Sequence, residues 1–287
     1  MLSKVKLEVC VDSLESAINA IHGGAEELEV CSSLTEGGLT PTVGLVKQIL
    51  HMVQNIGEKT PIHHTCSNCK CAELTEKPSV NIMIRCRAGS DFCYTPLEVE
   101  TMLLDLVIMK NMGVNRFVFG ALTSVQEVDV DTCAKIIAKA SPLPVTFHRA
   151  FDICKNTLMS IEKIVKLGFD RVLTSGQRAS VDDPEAFQII TDLMGFYQDK
   201  IHIMPGAGIS IENVKKYVKL GCPFIHSSCK TAREAKIGKT LNMGIETAGP
   251  EKVYYTDKNN VIRLRYAIKT ELLRMQQLGN AITDQIS

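Results

Sequence analysis

Two short segments of this chain end in the same four residues: Leu7-Glu8-Val9-Cys10 and Leu28-Glu29-Val30-Cys31. Each reads as a β-strand closed by a thiol. Neighbouring strands run about 4.8 Å apart, so two thiols at matching heights would span the gap that one soft cation needs. The type of the residue leaves the matter open, because free cysteine is also a common small buried hydrophobe. Side chains alternate along a strand, so Glu8 shares a face with Cys10, and Glu29 with Cys31. If the cysteines face inward, two carboxylates lie inside with them. Buried acids need cationic partners, and Arg85 and Arg149 are the candidates at other strand ends. His148, beside Arg149, is the candidate general acid or base, since imidazole titrates near neutral pH without help. His148, Arg149, Arg85, Glu8 and Glu29 together would suit a small anionic or phosphorylated metabolite.

Two further motifs could do chemistry. His63-His64-Thr65-Cys66-Ser67-Asn68-Cys69-Lys70-Cys71 packs two imidazoles and three thiols into a polar insertion over residues 57–79, with Cys66 and Cys69 at a spacing that bites one ion. A flexible solvent loop with reactive thiols reads equally well. The turn Gly206-Ala207-Gly208, leading toward a helix expected to start near Ser210, resembles the phosphate cradles that barrels build after their seventh and eighth strands, with Ser227 and Ser228 close by.

These residues need elements to position them. Short β-rich runs alternate with longer amphipathic patterns, as parallel βα units do. The runs are Val5–Cys10, Glu27–Cys31, Val80–Arg85, Arg116–Phe119, Pro144–His148, Arg171–Thr174, His202–Met204 and Phe224–His226. Helical patterns cover 13–23, 43–55, 95–112, 131–140, 157–167, 183–198 and 211–220. The expected fold is one α/β domain over residues 1–287, a (β/α)8 barrel carrying the 57–79 insertion and a C-terminal extension over 229–287; an open doubly wound sheet is the alternative. Within the extension, 229–262 shows no periodicity and a final helical pattern runs from Leu264 to Leu278. On a barrel the strand-end residues Glu8, Cys10, Glu29, Cys31, Arg85, His148, Arg149, Thr174 and His226 gather at one mouth.

The composition bounds the partners. Lys and Arg number 32 and Asp and Glu 32 in 287 residues, so the formal charge is zero and nothing points to nucleic acid or an anionic membrane surface. No run approaches the ~18 apolar residues of a membrane span, and the start of the chain reads straight into the first strand, so a cytoplasmic protein with access to the nucleus is expected. Eleven cysteines then read as reduced thiols. The methionines fall on helical stripes and read as core.

The motifs at the strand ends are together specific. Leu7-Glu8-Val9-Cys10-Val11-Asp12-Ser13, Glu29-Val30-Cys31 followed by Glu36-Gly37-Gly38-Leu39-Thr40-Pro41, Phe117-Val118-Phe119-Gly120-Ala121-Leu122-Thr123, Pro144 through Asp152, Arg171 through Gly176, and Met204-Pro205-Gly206 closely resemble the CutC copper homeostasis family, in the same order. The resemblance implies a TIM barrel, a cytosolic homo-oligomer (dimer or tetramer), a role in copper tolerance and Cu(I) binding, with Cys10 and Cys31 in the positions of the Cu(I) thiols. It implies no particular reaction. The chain departs from the family pattern at Arg85-Cys86-Arg87-Ala88-Gly89-Ser90-Asp91-Phe92, where the family reads Arg-Pro-Arg-Gly-Gly-Asp-Phe, at Ala207 in the Pro205–Gly208 turn, and in the 57–79 insertion.

Overall fold

In the computed structural model the residues described are 4–57, 76–234 and 252–286. Eight parallel strands, β1 (Lys6–Val11), β2 (Glu27–Val30), β3 (Ser79–Met83), β4 (Arg116–Phe119), β5 (Val145–Phe147), β6 (Arg171–Thr174), β7 (His202–Pro205) and β8 (Phe224–Ser227), pair in the order β7-β6-β5-β4-β3-β2-β1-β8. The end strands β7 and β8 lie against each other without a ladder, so the sheet forms a nearly closed barrel. The helices between them are α1 (Leu14–Gly23), α2 (Val43–Gln54), α3 (Pro96–Asn111), α4 (Val130–Ala140), α5 (Thr157–Leu167), α6 (Pro184–Tyr197) and α7 (Val214–Lys219). The TIM-barrel fold expected from the alternating pattern is the fold observed.

The helices start where side chains can accept the free amides of a first turn. Ser13 accepts from the Ser16 N–H before α1, while Asp12 reaches out to the Leu34 N–H. Thr95 and Glu98 close a reciprocal capping box on α3. At the other end of α1, Gly24 adopts φ 86°, a left-handed conformation that costs a residue without Cβ nothing, and turns the chain into β2.

Alternation along the strands divides the core in two. Leu7, Val9 and Val11 of β1 belong to the large apolar layer between barrel and helices. The inward faces carry polar groups, with a small apolar cluster of Cys31, Met83 and Val118 near the mouth.

The C-terminal region departs from expectation. The segment without periodicity contains an antiparallel hairpin, β9 (Lys230–Glu234) and β10 (Lys252–Thr256), and the last helix, α8 (Lys258–Ile286), begins before Leu264 and packs on α1 and α7. Among the described residues no helix is long and apolar enough to cross a membrane. His63, His64, Cys66, Cys69 and Cys71 of the insertion lie outside the described residues.

Candidate metal centre

The register between β1 and β2 decides which groups meet. Cys10 is the partner of Glu29, and Glu8 of Glu27. The thiols of Cys10 and Cys31 are therefore not at the equal heights that the matching contexts of the two strands predict; Cys31 follows β2, its N–H donating to the Val11 carbonyl at 2.8 Å. The cause is the stagger a closed barrel imposes between neighbouring strands. Cys31 is nonetheless near: its Sγ lies 3.5 Å from Glu29 Oε2.

The eighth strand brings the third group. Glu8 faces His226 across β1 and β8, and the Cys10, Glu29 and His226 donor atoms all lie within 4.8 Å of one another, all three buried. His226 Nδ1 is 2.8 Å from Glu8 Oε1, which leaves Nε2 turned to Glu29 at 3.8 Å. A carboxylate behind an imidazole fixes the ring and its tautomer, an arrangement common behind metal-binding histidines.

Below this layer sits the charge balance of the barrel interior. Arg171, 1% exposed, donates through Nη1 to Glu27 Oε2 at 2.8 Å and to Glu8 Oε2 at 3.3 Å, and its guanidinium covers the Phe224 ring at 3.5 Å. Asn81 Nδ2 donates to the same two carboxylates at 2.6 and 3.0 Å. The cation that serves the interior acids is thus Arg171, and neither Arg85 nor Arg149. Arg85 donates to loop carbonyls, and Arg149 holds Asp152 and Ser175 at 2.7 and 2.9 Å. Arg171 opens a strand that otherwise reads as apolar, and a cation on the inward period of such a strand is the signal that would have found it.

The surroundings tune each group. Burial alone would raise Glu8, but the hydrogen bond from His226 and the charge of Arg171 bring its carboxyl down to about 2. Burial pushes Glu29 up, and the charge of His226 offsets only part of that, leaving it at about 7. Burial and the neighbouring Glu29 hold the Cys31 thiol well above its ordinary range. Burial opposes a charged His226 ring, yet its interactions with Cys10 and then Glu29, with the hydrogen bond to Glu8, hold it well above the usual imidazole range. His148 goes the other way: burial and then the charge of Arg85 lower it to about 3, so at neutral pH its ring is neutral. It sits among the Phe92, Phe119 and Phe147 rings as a hydrogen-bonding group.

Cys10, Glu29, His226, Arg85, His148 and Arg149 all line one cavity of about 510 Å³ at the mouth, whereas Glu8, Cys31 and Thr174 do not. Ala207, Gly208, Ser227 and Ser228 line it too. The helix after that turn begins only at Val214, and the Ser227 hydroxyl is engaged, donating to the Ile209 carbonyl at 3.2 Å and accepting from the Cys229 N–H.

The donor set fits a metal ion. A thiol and an imidazole nitrogen, both suited to copper, converge with a carboxylate whose Oε1 is buried without a hydrogen-bond partner.

Comparison with known proteins agrees with this fold. Residues 5–231 match the family model described as CutC family. The chain is 35% identical over 271 residues to a copper homeostasis protein cutC homolog of Mus musculus, covering 93% of this chain and 90% of that one. It is 36% identical over 265 residues to the homolog of Caenorhabditis elegans, covering 92% and 96%. A crystal structure of the CutC protein from Streptococcus agalactiae superposes with a TM-score of 0.65 at 28% identity, covering 78% of this chain and 98% of that one.

Proposed function

This chain belongs to the CutC family, and from that premise we propose that it serves copper homeostasis by holding one Cu(I) ion at the barrel mouth, on the thiolates of Cys10 and Cys31 with His226 Nε2 as a third donor. The observation that carries the reading is the convergence of Cys10, His226 and Glu29 within 4.8 Å, with Cys31 against the same Glu29. Cu(I) is soft and takes thiolate and imidazole ahead of carboxylate. Glu29 is then the proton acceptor of the site and not a ligand: the Cys31 S–H already faces Glu29 Oε2, and each thiol must lose its proton before it can bind a metal. Glu8 holds the His226 ring from behind. A centre built on free thiols suits a reducing compartment, and we place the protein in the cytoplasm.

X-ray absorption on the protein loaded anaerobically with one equivalent of Cu(I) tests the ligand set. Two sulfur scatterers and one imidazole are expected, and a first shell of nitrogen and oxygen alone would refute it.

A further inference from the structure

The barrel mouth holds a buried cation of its own, and it is treated unlike Arg171 below it. Arg171 has two carboxylates. Arg85, 4% exposed, has none among the described residues: Nη1 donates to the carbonyls of Glu36 and Gly38 at 2.7 and 3.0 Å, Nη2 donates to that of Gly89 at 2.6 Å, and Nε is buried with no partner. A guanidinium taken out of water and met only by carbonyl dipoles and one aromatic ring is costly unless an opposite charge arrives.

His148 presents a matching vacancy. Its Nδ1 accepts from the Ala150 N–H at 3.2 Å, so a neutral ring carries its proton on Nε2, and Nε2 is also buried with no partner. The two groups are neighbours: the Phe92 ring lies 5.1 Å from the Arg85 guanidinium and 4.9 Å from the His148 ring. Both line the same 510 Å³ cavity, a volume within the range of small-molecule sites. Lys230 and Lys252 of the β9–β10 hairpin line it as well, both exposed and neither in a salt bridge among the described residues. Of the lining carboxylates, Asp12 is occupied with the Leu34 N–H and Glu29 belongs to the metal centre.

We propose that this cavity binds a small organic anion, whose oxyanion group accepts from Arg85 Nε–H and His148 Nε2–H while Lys230 and Lys252 face its outer end. The oxyanion is a carboxylate or a phosphate. The site does not depend on the copper reading, since none of its donors belongs to the thiol–imidazole set.

Calorimetric titration of the metal-free protein with malonate, phosphoenolpyruvate and inorganic phosphate, at constant ionic strength and with sodium chloride as the control, tests it. Saturable binding of at least one probe, one per chain, is expected; malonate without phosphate identifies a carboxylate site, and phosphate without malonate a phosphate site. His148→Phe, which keeps a ring and loses the donor, should weaken binding about 10-fold or more, as loss of a hydrogen bond to a charged group does, and His148→Gln should restore part of it. Lys230→Ala/Lys252→Ala, on exposed positions that leave the barrel intact, should weaken binding and flatten its salt dependence, and this variant carries the test if His148→Phe does not fold. No saturable binding of any probe at millimolar concentration, or binding unchanged in the folded variants, overturns the proposal. Because no metal is present, neither result bears on copper binding.

Discussion

His226 holds Glu8 through Nδ1 at 2.8 Å and thereby keeps Nε2 turned to Glu29, at 3.8 Å. One buried carboxylate thus orients the only imidazole of the candidate metal set, from a position outside the cavity that the set lines. Glu8→Gln removes the charge while keeping the size, and loss of such a supporting group typically costs 10- to 100-fold in metal affinity. A fall of about tenfold or more in Cu(I) affinity is expected, read by chelator competition on the folded variant. Unchanged affinity would mean that His226 is not a ligand.

Arg171 is the counter-charge of the interior. Arg171→Met removes the buried cation that Glu8 and Glu27 share, leaving as ion-pair partners among the described residues only His226 for Glu8 and only the half-exposed Lys6, at 3.4 Å, for Glu27, and breaking a buried pair by removing one partner costs about 3–5 kcal/mol. Urea unfolding should show a loss of that order, whereas a change within about 0.5 kcal/mol would mean the acids are neutral in the folded protein.

How far these features are legible in the sequence differs by kind. The eight strands show as β-rich runs, and Ser13, Gly113, Gly168 and Gly221 mark helix ends where the structure has them. The hairpin does not show, because Lys230 to Glu234 is solvent-facing and carries no apolar alternation for a core to impose. The rule that strand ends gather at the mouth makes Cys10, Glu29, Arg85, His148, Arg149 and His226 legible there, but not that Glu8, Cys31 and Thr174 lie off the cavity, nor any of their partnerships. Equal wording in two strands says nothing about stagger, which is a property of the closed barrel, so Cys10 opposite Glu29 could only come from the three-dimensional register. Arg171 shows in the sequence only as a cation on an apolar strand; its partners do not, because they depend on which acids the stagger places beside it.

His148 gives a pH dependence of definite sign. Its folded value, about 3, lies below its ordinary 6.5. Between those limits the unfolded chain binds a proton that the folded chain refuses, so stability is full above 6.5 and falls as the pH drops toward 3. Relative to His148→Asn, the parent should lose about 1 kcal/mol of unfolding free energy between pH 7 and about pH 5.5. Parallel curves for parent and variant would show that the folded ring takes up its proton as the unfolded chain does, against the lowering by burial.

The C-terminal helix docks through a glycine. A Cβ at Gly23 would meet Val261 Cβ at 2.4 Å and Cγ1 at 2.6 Å, so the Val261 side chain of α8 packs directly on the bare backbone of α1. Gly23→Ala should destabilise the protein by about 1–3 kcal/mol, the usual effect of overpacking, read as a lowered urea midpoint. A neutral or stabilising effect would mean that α8 is not held against α1 in solution.

The copper reading is tested most directly by an anaerobic Cu(I) titration against a competing chelator, comparing the parent with Cys10→Ser/Cys31→Ser and with Cys66→Ser/Cys69→Ser/Cys71→Ser. The predicted result is one tight site per chain, lost in the first variant and kept in the second. Parental affinity in Cys10→Ser/Cys31→Ser, or loss of the site only in the triple variant, would contradict a copper centre at the barrel mouth.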